Sequence, residues 1–86
     1  MLTNDMKKGQ TGVMRGTHWP FTIWDNAKGL IRVAEVEGFC KEAGSIYTFD
    51  ILYLNMPDGS REQVEFTPAQ ERQAKKIAQR MLELGF

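Results

Sequence analysis

The segment Met56-Pro57-Asp58-Gly59 constrains this 86-residue chain most, because its residues favour one tight turn. Proline presets φ for the first central position and aspartate suits the second. Glycine takes a left-handed position that a branched side chain could not. Ahead of the turn, residues 46–54 place Tyr47, Phe49, Ile51 and Tyr53 on odd positions, with Ile46, Thr48, Asp50, Leu52 and Leu54 between them. A pleated strand sends alternate side chains to opposite faces, so the odd set predicts one continuous aromatic and apolar face. Beyond the turn, Glu62, Val64 and Phe66 alternate with Arg61, Gln63 and Glu65. Residues 44–66 therefore read as the central hairpin of a small curled sheet.

A helix follows directly. Thr67 is placed to cap it, Pro68 occupies the first turn, and Gln70 stands three residues after the cap, as in a capping box. Ala74, Ile77, Ala78, Met81, Leu82 and Leu84 trace an apolar stripe at helical spacing. Gly85 suits a left-handed stop, with Phe86 able to fold back on Met81. Residues 68–84 would span roughly 25 Å. The stripe needs cover, and the open side of the sheet is the expected cover.

Upstream, residues 9–15 predict a short edge strand. In residues 19–24, Trp19, Phe21 and Ile23 share one face, with Thr22 and Trp24 on the other. Pro20 cannot donate to a ladder, so this strand starts at an edge or is unpaired there. Asp25-Asn26-Ala27-Lys28-Gly29 predicts a turn. Residues 30–36 form a strand whose alternation is broken, since Arg32 shares parity with Leu30, Ala34 and Val36; burial on both faces or a bulge would explain it. Residues 37–45 read as a loop with Phe39 tucked inward. The expected fold class is α+β: a small antiparallel five-stranded SH3-like barrel or curled sheet, with one C-terminal helix. Residues 1–8 are set apart as a flexible N-terminus. Residues 9–86 form a single domain, with strands over about 11–66 and the helix over about 68–84.

The Lys7-Lys8-Gly9 opening, the turn at 25–29 and the strand at 30–36 resemble the start of an SH3-like barrel of the KOW type, over roughly half the chain. That resemblance implies binding of RNA, DNA or peptides. The segment Glu42-Ala43-Gly44-Ser45-Ile46-Tyr47, followed by Asp50-Ile51, is similar to short phage or environmental-microbe proteins without an assigned role.

Composition narrows the partners. Eleven basic and eleven acidic side chains give zero formal charge, so the total does not mark a strongly basic nucleic-acid binder. The charges are unevenly spread. Residues 1–32 hold five basic and two acidic groups, residues 33–66 two and seven, and residues 67–86 four and two. The lone Cys40 excludes an internal disulfide and fits a reducing, cytoplasmic setting. No apolar run approaches membrane-spanning length, so no membrane partner is expected.

No catalytic constellation stands out, and the expectation is of no enzyme activity, no cofactor and no metal. His18 reads as a turn residue and Cys40 as a small loop side chain. Asp50 is a carboxylate in an apolar run, either a perturbed acid at a binding face or a group satisfied by nearby backbone, by Thr48 or by Arg32. Arg72, Lys76 and Arg80 form a basic ridge at i, i+4, i+8, which phosphates, an acidic partner or solvent could meet, helped by Glu71–Lys75 and Arg80–Glu83 pairs. Trp24 lies outside beside Asn26 and Lys28, or beneath the helix. The binding candidates are Trp24, Lys28, Arg32, Arg72, Lys76 and Arg80. The leading expectation is a non-catalytic interaction module making protein–protein contacts or self-associating. The alternative is a nucleic-acid-binding domain with Lys7, Lys8, Arg15, Lys28 and Arg32 as its basic surface. A small enzyme around Asp50 and His18 comes last.

Overall fold

The pattern Leu30-Ile31-Arg32-Val33-Ala34-Glu35-Val36 alternates strictly once Arg32 is counted as an inward residue. In the computed structural model, which describes residues 1–37 and 43–85, Leu30, Arg32, Ala34 and Val36 are all buried, while Ile31 and Val33 face out. Neither a bulge nor two-sided burial is involved. A charged residue simply occupies an inner position.

Six strands form one antiparallel sheet: β1 (Thr11–Met14), β2 (Pro20–Ile23), β3 (Ile31–Val36), β4 (Gly44–Tyr47), β5 (Ile51–Asn55) and β6 (Arg61–Glu62). Their order is β4-β3-β2-β1-β5-β6, and the sheet is open rather than closed into a barrel. β1 lies between β2 and β5, in the interior of the sheet and not at the edge where its glycines placed it. Pro20 opens β2, as a residue without an amide proton can.

The expected single strand over residues 46–54 is two strands. A 3-10 turn at Thr48–Asp50 separates them, so β4 pairs with β3 and β5 pairs with β1 on the far side of the sheet. Alternation then slips again, since Val13 pairs with Tyr53 but Met14 pairs with Ile51. This bulge-like shift leaves Tyr53 facing out while Ile51 is buried. The hairpin into β6 has the expected turn, with Gly59 at φ 87° and Met56 accepting from its amide. It sits at the edge, however, and β6 is only two residues long.

The core on the inner face contains Met6, Phe21, Ile23, Ala34, Val36, Ile51 and Leu54. Full burial contributes about 1.5–3 kcal/mol for each of these side chains except the small Ala34. Phe21 lies over Gly12 on β1. A Cβ at Gly12 would fall 2.7 Å from the Phe21 ring and collide with the Tyr53 carbonyl, so only glycine fits.

The first residues, set apart by sequence as a flexible arm, contribute Met6 to this core, while Asp5, Lys7 and Lys8 are exposed. Thr3 and Met6 are wholly buried, and Leu2 bridges Glu65 in parallel pairing. Thr3 Oγ1 lies 2.7 Å from the Gly29 carbonyl and 3.0 Å from Thr48 Oγ1. With one proton on each hydroxyl, Thr3 donates to Gly29 and accepts from Thr48.

Helix α1 (Pro68–Glu83) has the expected capping box. Gln70 N donates to Thr67 Oγ1 and Thr67 N donates to Gln70 Oε1. The Gln70 side-chain amide also donates to Asn4 Oδ1, which fixes the helix base to the N-terminal arm. The expectation that α1 closes over the core is not met, because no residue of α1 is buried. Gln70, Ala74, Ile77 and Met81 are half-buried along one line, while Leu82 and Leu84 are exposed. The arm, with Met1, Met56 and Val64, does the closing instead. The places proposed for Phe39, Cys40 and Phe86 lie outside the described residues.

Candidate docking face

Pairing register determines which residues share the outer face of the sheet. Trp24 N donates to Val33 O, Val33 stands opposite Ser45, and Ile31 stands opposite Tyr47. Residues directly opposed across a ladder lie on one face. Trp24, Val33, Ile31 and Tyr47 therefore form a continuous strip. Among the described residues, five large apolar side chains are exposed, and three belong to this strip: Trp24 at 46%, Ile31 at 54% and Val33 at 37%. Ile31 and Val33 were legible in the sequence as apolar residues off the buried parity, but the apparently broken pattern hid them.

Trp24 lies outside, as one of the two sequence alternatives held. Its Nε1 donates to Glu35 Oε2 at 3.3 Å, and Lys8 Nζ stands 5.3 Å from the ring centroid. Across the same face, the Arg61 guanidinium stands 4.3 Å from the centroid of the Tyr53 ring. Lys28 is exposed in the β2–β3 connection.

Arg32 is not a surface cation. It is wholly buried. Nε donates to Asp25 Oδ1 at 2.8 Å, one terminal nitrogen to Thr3 O at 2.9 Å, and the other to Met6 O at 2.7 Å and Asp25 O at 3.0 Å. Its role is to hold the arm to the sheet. The proposed five-residue basic surface is thereby broken up. Lys7 and Lys8 stand before β1, Arg15 follows the other end of that strand, and Arg32 is interior.

Asp50 does not meet Arg32. The 3-10 turn carries it to the surface, where partial desolvation raises its carboxyl pKa above the usual carboxylate value and the nearby Arg15 guanidinium opposes the rise. His18 is exposed in the β1–β2 loop at φ 58°, a conformation histidine tolerates better than branched residues do. Among the described residues, no group of three His, Cys, Asp or Glu side chains could hold a metal. No helix among them is long and apolar enough to cross a membrane.

Arg72, Lys76 and Arg80 are all exposed on α1, and neither Glu71–Lys75 nor Arg80–Glu83 forms a salt bridge. At about 100° per residue, a four-residue step drifts about 40°, so the ridge winds around the helix. It reaches the body of the protein at Arg80. There, Tyr47 of β4 and Ile77, Arg80, Met81 and Leu84 line a cleft of about 400 Å³ between the strand and the helix. Tyr47 is held by stacking on Phe49, with ring centroids 4.9 Å apart and planes 16° off parallel.

Compared with protein-family models, curated proteins and solved structures, the chain matches none of them.

Proposed function

We propose that this chain is a non-catalytic interaction module that docks a protein partner on the outer face of β2, β3 and β4. One observation carries the reading: the unbroken apolar strip of Trp24, Val33, Ile31 and Tyr47, rimmed by Lys8, Glu35 and Arg80. Scattered exposed apolar residues are ordinary, but a contiguous patch with a polar rim marks a contact surface. Aromatic anchors such as Trp24 and Tyr47 are the residue types that dominate such contacts. The single cysteine fits a cytoplasmic setting for the contact. An SH3-like origin for the open sheet is part of this proposal, supported by the four-strand meander β1–β4 and the return of β5 to β1.

The test is photo-cross-linking in the native cell, with a benzophenone side chain at position 31 or 33 and, as control, at the exposed Gln79. Protein adducts at 31 and 33 but not 79 are the predicted result. Adducts no more abundant than those of the control would contradict the reading.

Nucleic-acid binding has one observation in its favour: two aromatic–cation pairs, Trp24 with Lys8 and Tyr53 with Arg61, on a single face. Bases can stack on such rings beside cations that meet phosphate. This reading predicts gel retardation of single-stranded RNA or DNA that weakens steeply with salt and on Lys8→Ala. No retardation at low salt would eliminate it.

A further inference from the structure

The two edges of the sheet differ in a way that bears on what kind of segment docks. Edge strands are templates for another chain, and proteins ordinarily guard them with charge, proline or brevity. The β6 edge is guarded in these ways: two residues, Arg61 and Glu62, both charged, following the Pro57 turn. The β4 edge is not. Its four residues, Gly-Ser-Ile-Tyr, include neither charge nor proline.

The ladder shows which backbone groups lie open. Thr48 N donates to Leu30 O, which places Thr48 in the hydrogen-bonded set with β3. Antiparallel pairs alternate, so Ile46 and Gly44 belong to that set, opposite Arg32 and Ala34. Ser45 and Tyr47 then turn their amides and carbonyls away from the sheet. The cleft that Tyr47 lines with Ile77, Arg80, Met81 and Leu84 lies at the Tyr47 end of this edge.

The geometry points to β-strand addition: an extended peptide segment of a partner protein, apolar at alternate positions and carrying a carboxylate, pairs with Ser45 and Tyr47 in the cleft between β4 and α1. This deepens the docking function proposed above and rests on it. Main-chain bonds to an open edge supply affinity in this mode, and pockets for alternate side chains supply selectivity. Ile77, Met81 and Leu84 receive the apolar side chains, and Arg80, with Lys76 one turn earlier, receives the carboxylate. The charge pattern favours such a peptide over a second copy. Two copies joined at β4 would each bring Arg80 to the shared seam, and neither the edge nor the cleft lining includes an acidic residue.

The experiment pans a random twelve-residue peptide display library against the full chain and measures enriched peptides by fluorescence anisotropy. Ser45→Pro removes one outward amide while leaving the β3 ladder intact, because proline is tolerated on an edge. Circular dichroism and thermal melting check that the variant folds. The expected result is enrichment of alternating apolar peptides with Asp or Glu, at least tenfold weaker binding to Ser45→Pro, and loss of the acidic preference in Arg80→Glu. Peptide addition should also slow amide exchange at Ser45 and Tyr47. Equal binding by folded Ser45→Pro would overturn strand addition. So would failure to enrich any peptide, or a concentration-dependent dimer abolished by Ser45→Pro. Cross-linking at positions 31 and 33 is read separately, so those results can sink the peptide while leaving protein docking standing.

Discussion

Arg32 Nε lies 2.8 Å from Asp25 Oδ1 inside the sheet, and this pair joins the β2–β3 connection to β3 and to the N-terminal arm. Asp25 uses its second oxygen to accept from Val33 N at 3.2 Å, so both members of the pair are satisfied. Arg32 is wholly buried and Asp25 partly so; such a pair adds little over an apolar substitute, but removing Arg32 leaves a half-buried carboxylate without its partner. Arg32→Leu is therefore expected to destabilise by about 3–5 kcal/mol, because Asp25 and the Thr3 and Met6 carbonyls all lose a donor. Arg32→Lys should also lose stability, since one ammonium cannot reproduce the planar fork. Urea denaturation measures both. A change below about 1 kcal/mol for Arg32→Leu would contradict the assigned role.

The arm should matter more to stability than the end of the helix. Deleting residues 1–6 removes Met6 from the core and strips Arg32 of two carbonyl acceptors. Deleting residues 78–86 removes no buried side chain among those described. Comparing thermal midpoints of the two truncations with the full chain tests this. The first is expected to unfold the sheet or lower its midpoint sharply, the second to leave it nearly unchanged.

Gly12→Ala places a methyl group against the Tyr53 carbonyl and the Phe21 ring. The carbonyl belongs to the β1–β5 ladder and cannot move aside as a flexible side chain could. Overpacking of this kind costs typically about 1–3 kcal/mol. Chemical denaturation of the variant should show a loss in that range.

The parts of the fold legible in the sequence were the local ones. The turn at Met56-Pro57-Asp58-Gly59 and the Thr67–Gln70 capping box depend on neighbours within a few residues, and both stand where the residues indicated. Arg32 was misread because its acceptors come from Thr3 and Met6, far back in the chain, and no local pattern announces a carbonyl. The run over residues 46–54 was misread for a different reason. Its alternation continues through Thr48-Phe49-Asp50, while the backbone there folds into a 3-10 turn and the next strand slips register. Of the site, Trp24 was visible as an off-face aromatic. The β4 edge was not, because open edges are a property of strand order.

Two carboxylates should titrate on opposite sides of the ordinary value of 3.8. Asp58 is held below it, first by the Ser60 hydroxyl and then by the Ser60 amide. Its contribution to stability is present above the unfolded-state pKa and is lost as pH falls through the lowered folded value. Asp50 is raised, chiefly by desolvation. Ionising it costs the folded state, so stability falls as pH rises from the unfolded value through the raised one. Carbon-13 NMR titration of the carboxyls is expected to show Asp58 below and Asp50 above the ordinary value. Asp50→Asn should become more stabilising, relative to the parent chain, as pH rises through that interval.

Amide hydrogen exchange, read residue by residue on the free chain, reports whether β4 is open to a partner. Ile46 donates toward β3, whereas Ser45 and Tyr47 face outward, so fast exchange at 45 and 47 beside slow exchange at 46 is predicted. Protection at Ser45 and Tyr47 equal to that at Ile46 would mean the edge is already covered, and docking on β4 would be contradicted.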